Sequence, residues 1–191
     1  MLATGRGAGF RPQRDGVAAA LDVLGDAVRR ALGPGAAPPF ADHVAAYVAG
    51  ADFPEEEEAL REAILSRGYG GRAAVGNDAF ALLRAGARGP SGVAVVCGAG
   101  VNAVGASPDG RVSRFPALGR LSGDWGGGVL TARDPVLDGM VRRLLAERAP
   151  GAVPVVASVP PVAGAALLGL DALGAGGRAE ARLREHFRAP A

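Results

Sequence analysis

The chain has 191 residues, of which 49% are hydrophobic and 21% are charged, with 31 glycines and 14 prolines. This composition excludes a disordered chain and fits one domain, or two small lobes, with a sizeable core and many turns. The formal net charge is +2, and every basic residue is arginine. A Walker-type phosphate loop is therefore excluded, because it requires a lysine. A bound phosphate would have to rely on backbone N–H groups, arginine or a metal ion.

Nucleic-acid and membrane partners are not expected. Arginines alternate with acidic residues and aromatic residues make up only 5% of the chain, so no basic stripe with stacking side chains is found. The uncharged segment 149–170 is long enough to cross a membrane, but Pro154, Pro160 and Pro161 interrupt it. Residues 1–10 lack the apolar core of a signal peptide, which predicts a cytoplasmic protein.

The first predicted elements are a helix, a strand and a second helix. Apolar residues recur at helical spacing over residues 15–32, and Asp15 is placed to cap that helix. Residues 43–48 predict a short strand. Pro54 then opens a helix whose acidic run, residues 55–58, suits the positive end of the helix dipole and is interpreted as structural.

A second strand is predicted over residues 73–76, and it runs directly into Asn77, Asp78 and an apolar helical segment, residues 79–83. A carboxylate at such a strand-to-helix junction is rigidly aimed. Asp78 can therefore serve as a general base, or it can simply cap the helix that follows Asn77.

The centre of the chain predicts a β-hairpin. Residues 93–97 and 101–106 read as strands on either side of a glycine turn, and a turn at residues 108–110 returns the chain as a third strand, residues 111–115. The sheet is therefore expected to be mixed rather than entirely parallel, within an α/β fold.

The glycine turn also approximates a dinucleotide-binding fingerprint, with Gly98, Gly100 and Ala103 at the required spacing. That fingerprint must open a helix whose N-terminus meets the pyrophosphate. Because a strand is predicted after Gly100, NAD binding is not favoured. A helix starting directly after Gly100 would favour it.

The last third of the chain begins with a glycine-rich loop, residues 119–128. Asp134 and Pro135 predict the start of a helix that ends near Ala146. Beyond it the sequence predicts a strand at residues 153–157, a helix after Pro161 and a second helix at residues 178–187.

Four segments together resemble the N-acetylglucosamine kinases and the BadF/BadG/BcrA/BcrD-type ATPases: residues 75–80, 95–102, 108–111 and 119–128. The similarity in order and spacing covers at least residues 15–128. It implies an incomplete actin-like (ribonuclease H-like) ATPase fold with a mixed sheet. Residues 1–128 would form the sugar- and phosphate-side part, and residues 129–191 the C-terminal part of the nucleotide-side lobe.

The resemblance also implies site residues, with a sugar as substrate and with ATP and Mg²⁺ as cofactors. Asp78 would accept the proton of the sugar hydroxyl, and Asp124, Gly119 and Asn77 would bind the sugar. Without the resemblance, Asp124 can equally be a turn-stabilising residue of its loop. The nucleotide would be approached by glycine-rich backbone at Gly98, Ala99, Gly100, Gly127 and Gly128.

Three departures from the family pattern leave a rival interpretation open. Ala99 stands where the family carries a phosphate-binding Thr, and the Asp-Gly-Gly-Gly-Thr element of the first phosphate loop is not found. Residues 129–135 follow the glycine triplet at once, as if an intervening segment were lost. The alternative is a non-catalytic remnant, either a sugar-binding or interaction module or a product without function. A homodimer is left open.

Overall fold

The structure is a computed structural model, and it describes residues 2–87, 89, 91–97, 101–115 and 135–188. The first elements are helices α1, Pro12–Asp15, and α2, Val17–Leu32. The prediction that Asp15 caps helix α2 is wrong. Helix α2 begins after Gly16, whose φ of 83° suits glycine, and no side chain caps it. Asp15 instead pairs with Arg11, the residue before α1, at 3.0 Å.

A parallel strand pair follows, built as a β-α-β unit. Strand β1, Ala41–Val48, and strand β2, Gly70–Asn77, are joined by helix α3, Pro54–Ser66. Helices α2 and α3 bury their apolar residues against this pair. The core there consists mainly of Leu21, Leu60, Ile64 and Tyr69, with smaller alanines between them.

The acidic run is structural in part, as the sequence predicts. At the start of α3, Glu56 accepts hydrogen bonds from the backbone N–H groups of Asp52 (2.9 Å) and Phe53 (3.1 Å). These N–H groups would otherwise have no partner at the helix start. Glu58 pairs with Arg61 one turn along the helix.

Helix α4, Asp78–Gly86, begins at the residue after β2 and leads to the predicted hairpin. The hairpin strands are β3, Gly92–Cys97, β4, Val101–Ala106, and β5, Val112–Phe115, all antiparallel in the order β3-β4-β5. The hairpin prediction is confirmed. Strand β4 starts at Val101, directly after Gly100 in the sequence, so the helix that a dinucleotide fingerprint needs is not formed there.

The parallel and antiparallel pairings lie in two separate sheets of the described residues, rather than in one mixed sheet. The chain leaves β2 directly into α4, and α4 covers the inner face of the hairpin sheet. Ala79 and Leu83 of α4 form a second core with Ala94 and Val104. The fold is α/β with both kinds of strand pairing.

The C-terminal part is helical, with α5, Pro135–Arg148, α6, Pro161–Ala172, and α7, Gly177–His186. The predicted strand at residues 153–157 is wrong. Residues 152–158 have no regular structure, and Val153 is 82% exposed. Strand propensity needs a neighbouring strand edge to become a strand, and this segment pairs with none of the described strands. No described helix has the length and apolar character needed to span a bilayer.

Helix α6 packs against α4 and β1, so residues of the two predicted parts of the chain are in contact. The boundary at residue 128 falls outside the described residues and stays a prediction. Contact between the helices is close at Gly164, where a Cβ atom would lie 1.7 Å from the carbonyl oxygen of Ala81. A larger side chain is therefore excluded at this position.

Candidate functional site

The candidate site lies at the carboxyl edge of the parallel strand pair. Because Val48 at the end of β1 is in register with Asn77 at the end of β2, the segments that leave these strands meet at one edge. In open α/β sheets this is the edge where ligands bind. The sequence predicts Asn77 and Asp78 here, and the structure adds Asp52 from the segment after β1.

Asn77 is the centre of the site and is only 3% exposed. Its side-chain oxygen accepts hydrogen bonds from the backbone N–H of Ala79 (2.9 Å) and from Nδ2 of Asn102 (3.1 Å). Its own Nδ2 donates to Oδ1 of Asp52 at 2.7 Å. The amide is thereby fixed by three elements: the segment before α3, the start of α4 and strand β4.

Asp78 is the first residue of α4, and the side-chain cap of this helix is Asn77 rather than Asp78. Burial raises the pKa of the half-buried Asp78 carboxyl, and the backbone N–H groups of Ala79 and Asp78 offset part of that rise. A carboxylate whose charged form is partly desolvated is a better proton acceptor than an exposed one.

Asp52 shares the edge with Asp78, and sequence reasoning missed it. Burial is the largest cause of its raised pKa, followed by the charges of Glu56 and Asp78, while Arg114 and the hydrogen bond from Asn77 lower it. The available signal was an acidic residue shortly after the first strand of a β-α-β unit. That signal is weak because many such residues only help to start the next helix.

The hairpin sheet contributes Asn102 from β4 and Arg114 from β5. Arg114 sits opposite Val104, which is buried against α4, so its side chain is directed to the same inner face as Asn102. Its guanidinium donates to both carboxylate oxygens of Glu57, at 2.8 and 3.1 Å. It also lies 5.0 Å from the ring centroid of Phe80.

This arrangement offers carboxylates and amides at one partly buried edge. Carboxylate oxygens accept hydrogen bonds from sugar hydroxyls, and amide groups can both donate and accept. The edge is therefore chemically suited to a polyhydroxylated ligand.

The remaining predicted site residues fall outside the described part of the chain. The predicted sugar contacts Gly119 and Asp124 lie there, so the convergence of Asp78 and Asp124 stays a prediction. The predicted nucleotide-binding positions also lie there: Gly98, Ala99, Gly100, Gly127 and Gly128.

In the described ranges, no three side chains of the types that bind metals come together. Mg²⁺ that is held mainly by substrate phosphates and water needs fewer protein ligands than that. Among the described residues, Asp52 and Asp78 place carboxylates at this edge, the type of side chain that binds Mg²⁺.

No known family model matches this chain. A curated relative, the N-acetylmuramic acid/N-acetylglucosamine kinase of Clostridium acetobutylicum, is 36% identical over 80 residues. The match covers 42% of this chain but only 26% of the relative. The chain thus spans about a quarter of the curated protein that it matches, and the match supports a sugar kinase-like relationship.

Proposed function

We propose that this chain binds an amino sugar at the carboxyl edge of β1 and β2, as the sugar-side part of an N-acetylglucosamine kinase-like protein with an actin-like fold. The observation that carries the proposal is the convergence of Asn77, Asp78, Asp52 and Asn102 on one edge. The partial match to a kinase of amino sugars agrees with this site.

In the proposed reaction a sugar hydroxyl would attack the terminal phosphoryl group of ATP, and ADP would leave as the bond to that phosphoryl group breaks. Asp78 would accept the hydroxyl proton, because its carboxylate is aimed by the first turn of α4 and its pKa is raised by burial. Asn77 holds Asp52 and Asn102 in place around the sugar, and Asp124 and Gly119 would add further contacts. ATP with Mg²⁺ supplies the phosphoryl group, approached by Gly98 to Gly100 and by Gly127 and Gly128.

A second function, sugar binding without phosphoryl transfer, is favoured by one sequence observation. Ala99 lacks the hydroxyl group with which the N-acetylglucosamine kinases that this chain resembles bind a nucleotide phosphate. A hydrogen bond to a charged group contributes roughly 1.5–3 kcal/mol, so its loss weakens ATP binding.

Calorimetric titration separates the two functions. N-acetylglucosamine is added to the protein alone and to the Asp124→Ala variant, and ATP with Mg²⁺ is added separately. Both functions require saturable sugar binding that Asp124→Ala weakens. Sugar binding without detectable ATP binding selects the non-catalytic module, whereas no sugar binding contradicts both.

A further inference from the structure

Arg114 joins the hairpin sheet to the two helices that form the site. Its guanidinium grips the Glu57 carboxylate of α3 with two hydrogen bonds and contacts the backbone carbonyl of Asp52 at 3.4 Å. It also lies over the ring of Phe80 on α4, where a guanidinium is attracted by the ring face. The Arg114 and Glu57 side chains are 29% and 18% exposed, so this contact is largely shielded from water.

We propose that Arg114 is a positioning residue of the candidate site. It fixes β4 and the Asp52 segment against the start of α4. In this way it sets where Asn102 and Asp78 meet a bound sugar. The inference rests on the proposed function, because it assigns Arg114 a part in that same site. Arg114 need not contact the sugar itself.

Two contacts from the hairpin sheet to the β1-α3-β2 unit carry this inference, one from each of two neighbouring strands. Asn102 on β4 reaches Asn77, and Arg114 on β5 reaches Glu57. A bidentate pair fixes direction as well as distance, which a single amide hydrogen bond does not.

The charges around Asp52 support the same role. After burial, the charges of Glu56 on α3 and Asp78 on α4 raise the pKa of Asp52. Burial also raises the pKa of Tyr47 on β1, and the charge of Glu57 adds to that rise. Arg114 is a cation that lowers the pKa of Asp52 within this acidic group. Removing its charge is therefore expected to raise the Asp52 pKa further.

The test compares Arg114→Met with Arg114→Lys and with a matched control, Arg111→Met. Arg111 lies just before β5 on the same hairpin, but its side chain is 84% exposed and pairs only with Asp109 among the contacts seen. The full chain is used for all variants. Three quantities are measured: the Asp52 pKa by carboxyl-carbon NMR, amide exchange in β4 and β5, and N-acetylglucosamine affinity by calorimetry.

We expect Arg114→Met to raise the Asp52 pKa, to speed amide exchange in β4 and β5, and to weaken sugar binding by about tenfold or more. Arg114→Lys keeps the charge but not the bidentate grip, so it should restore the Asp52 pKa without restoring the affinity. Arg111→Met should change none of these quantities. If Arg114→Met does not fold, Arg114→Lys carries the test through exchange and affinity.

Wild-type affinity in both Arg114 variants would overturn the inference. A wild-type protein that binds no N-acetylglucosamine would instead overturn the proposed function. The positioning by Arg114 is then judged by the exchange rates and the Asp52 pKa, and unchanged values in Arg114→Met would overturn it.

Discussion

Asn77 carries more of the site than its place at a helix start implies. A simple cap needs only one acceptor, whereas the Asn77 amide accepts two hydrogen bonds and donates a third to Asp52. Each of its partners belongs to a different element. The side chain thus couples the start of α4 to both sheets.

Substitutions of Asn77 can separate the cap from the network. Asn77→Ala should lower the free energy of unfolding by about 2–3 kcal/mol, because it removes the cap and leaves buried partners unpaired. Asn77→Asp keeps a good cap acceptor but loses the donor to Asp52 and adds a like charge. It should therefore be destabilising at neutral pH and recover as acid protonates the pair. Urea unfolding at several pH values measures these changes. An Asn77→Asp variant as stable as the wild type at neutral pH would contradict the network.

The ionised carboxylate of Asp78 is expected to lower the free energy of unfolding of the protein. Since its folded pKa is raised, the folded state disfavours the charge, and stability is gained as pH falls through that raised value. Asp78→Asn should therefore raise the free energy of unfolding at neutral pH by about 0.5–1 kcal/mol while abolishing any phosphoryl transfer. Thermal melts of both proteins test this. A clear loss of stability would show that Asp78 serves the helix start instead.

At the scale of elements, the site depends on how α4 is held. One side of α4 covers the hairpin sheet, and the other side is in close contact with α6. Gly164 permits that contact, because its missing side chain lets the backbone of α6 approach Ala81. The position of Asp78 therefore depends on a helix far along the chain.

Gly164→Ala should destabilise the protein by about 3 kcal/mol or more, because the new methyl group would meet backbone atoms that cannot turn away. Gly139→Ala is the matched control, since it also lies within a helix but has open space around it. That variant should gain about 0.5–1 kcal/mol from helix propensity. Chemical denaturation of both variants measures the contrast, and equal effects would contradict the packing seen at Gly164.

At the scale of the whole molecule, a buried arginine ties the C-terminal helices to the site. Arg84 of α4 has a side chain only 5% exposed and pairs with Asp171 of α6 and Glu180 of α7. Arg184 of α7 adds bonds to Glu180 and to the backbone carbonyl of Ala85. These contacts span roughly half of the chain and hold α4 from its C-terminal end.

Acid should loosen this connection. Hydrogen bonds from Arg84 and Arg184 lower the pKa of Glu180 from 4.5 to about 2. The stability from this pairing is therefore fully present above 4.5 and is lost as pH falls from 4.5 toward 2.

Glu180→Gln should lower the free energy of unfolding by about 1–2 kcal/mol at neutral pH. This value is discounted for solvent screening because the Glu180 side chain is 29% exposed. The variant should also lose less stability than the wild type as pH falls from 4.5 toward 2. Glu185→Gln, an exposed position on the same helix, is the control. Unfolding followed by circular dichroism over this pH range measures both variants. Identical curves for wild type and Glu180→Gln would contradict the network.

Local signals in the sequence predicted most elements, including the hairpin and the junction at Asn77, because glycine turns, caps and periodicity act over a few residues. The strand predicted at residues 153–157 failed because a strand also needs a partner edge. Asp52 and Arg114 were missed for a related reason. Their importance comes from neighbours 25 and 57 residues away along the chain, which only the folded structure brings together.

The central claim is that an amino sugar binds at the carboxyl edge of β1 and β2. Amide NMR spectra recorded during titration with N-acetylglucosamine test it most directly. The account predicts saturable shifts at Asn77, Asp78 and Asn102 and at the Asp52 segment, with little change on helix α5. Shifts confined to other surfaces, or none at high sugar concentration, would contradict it.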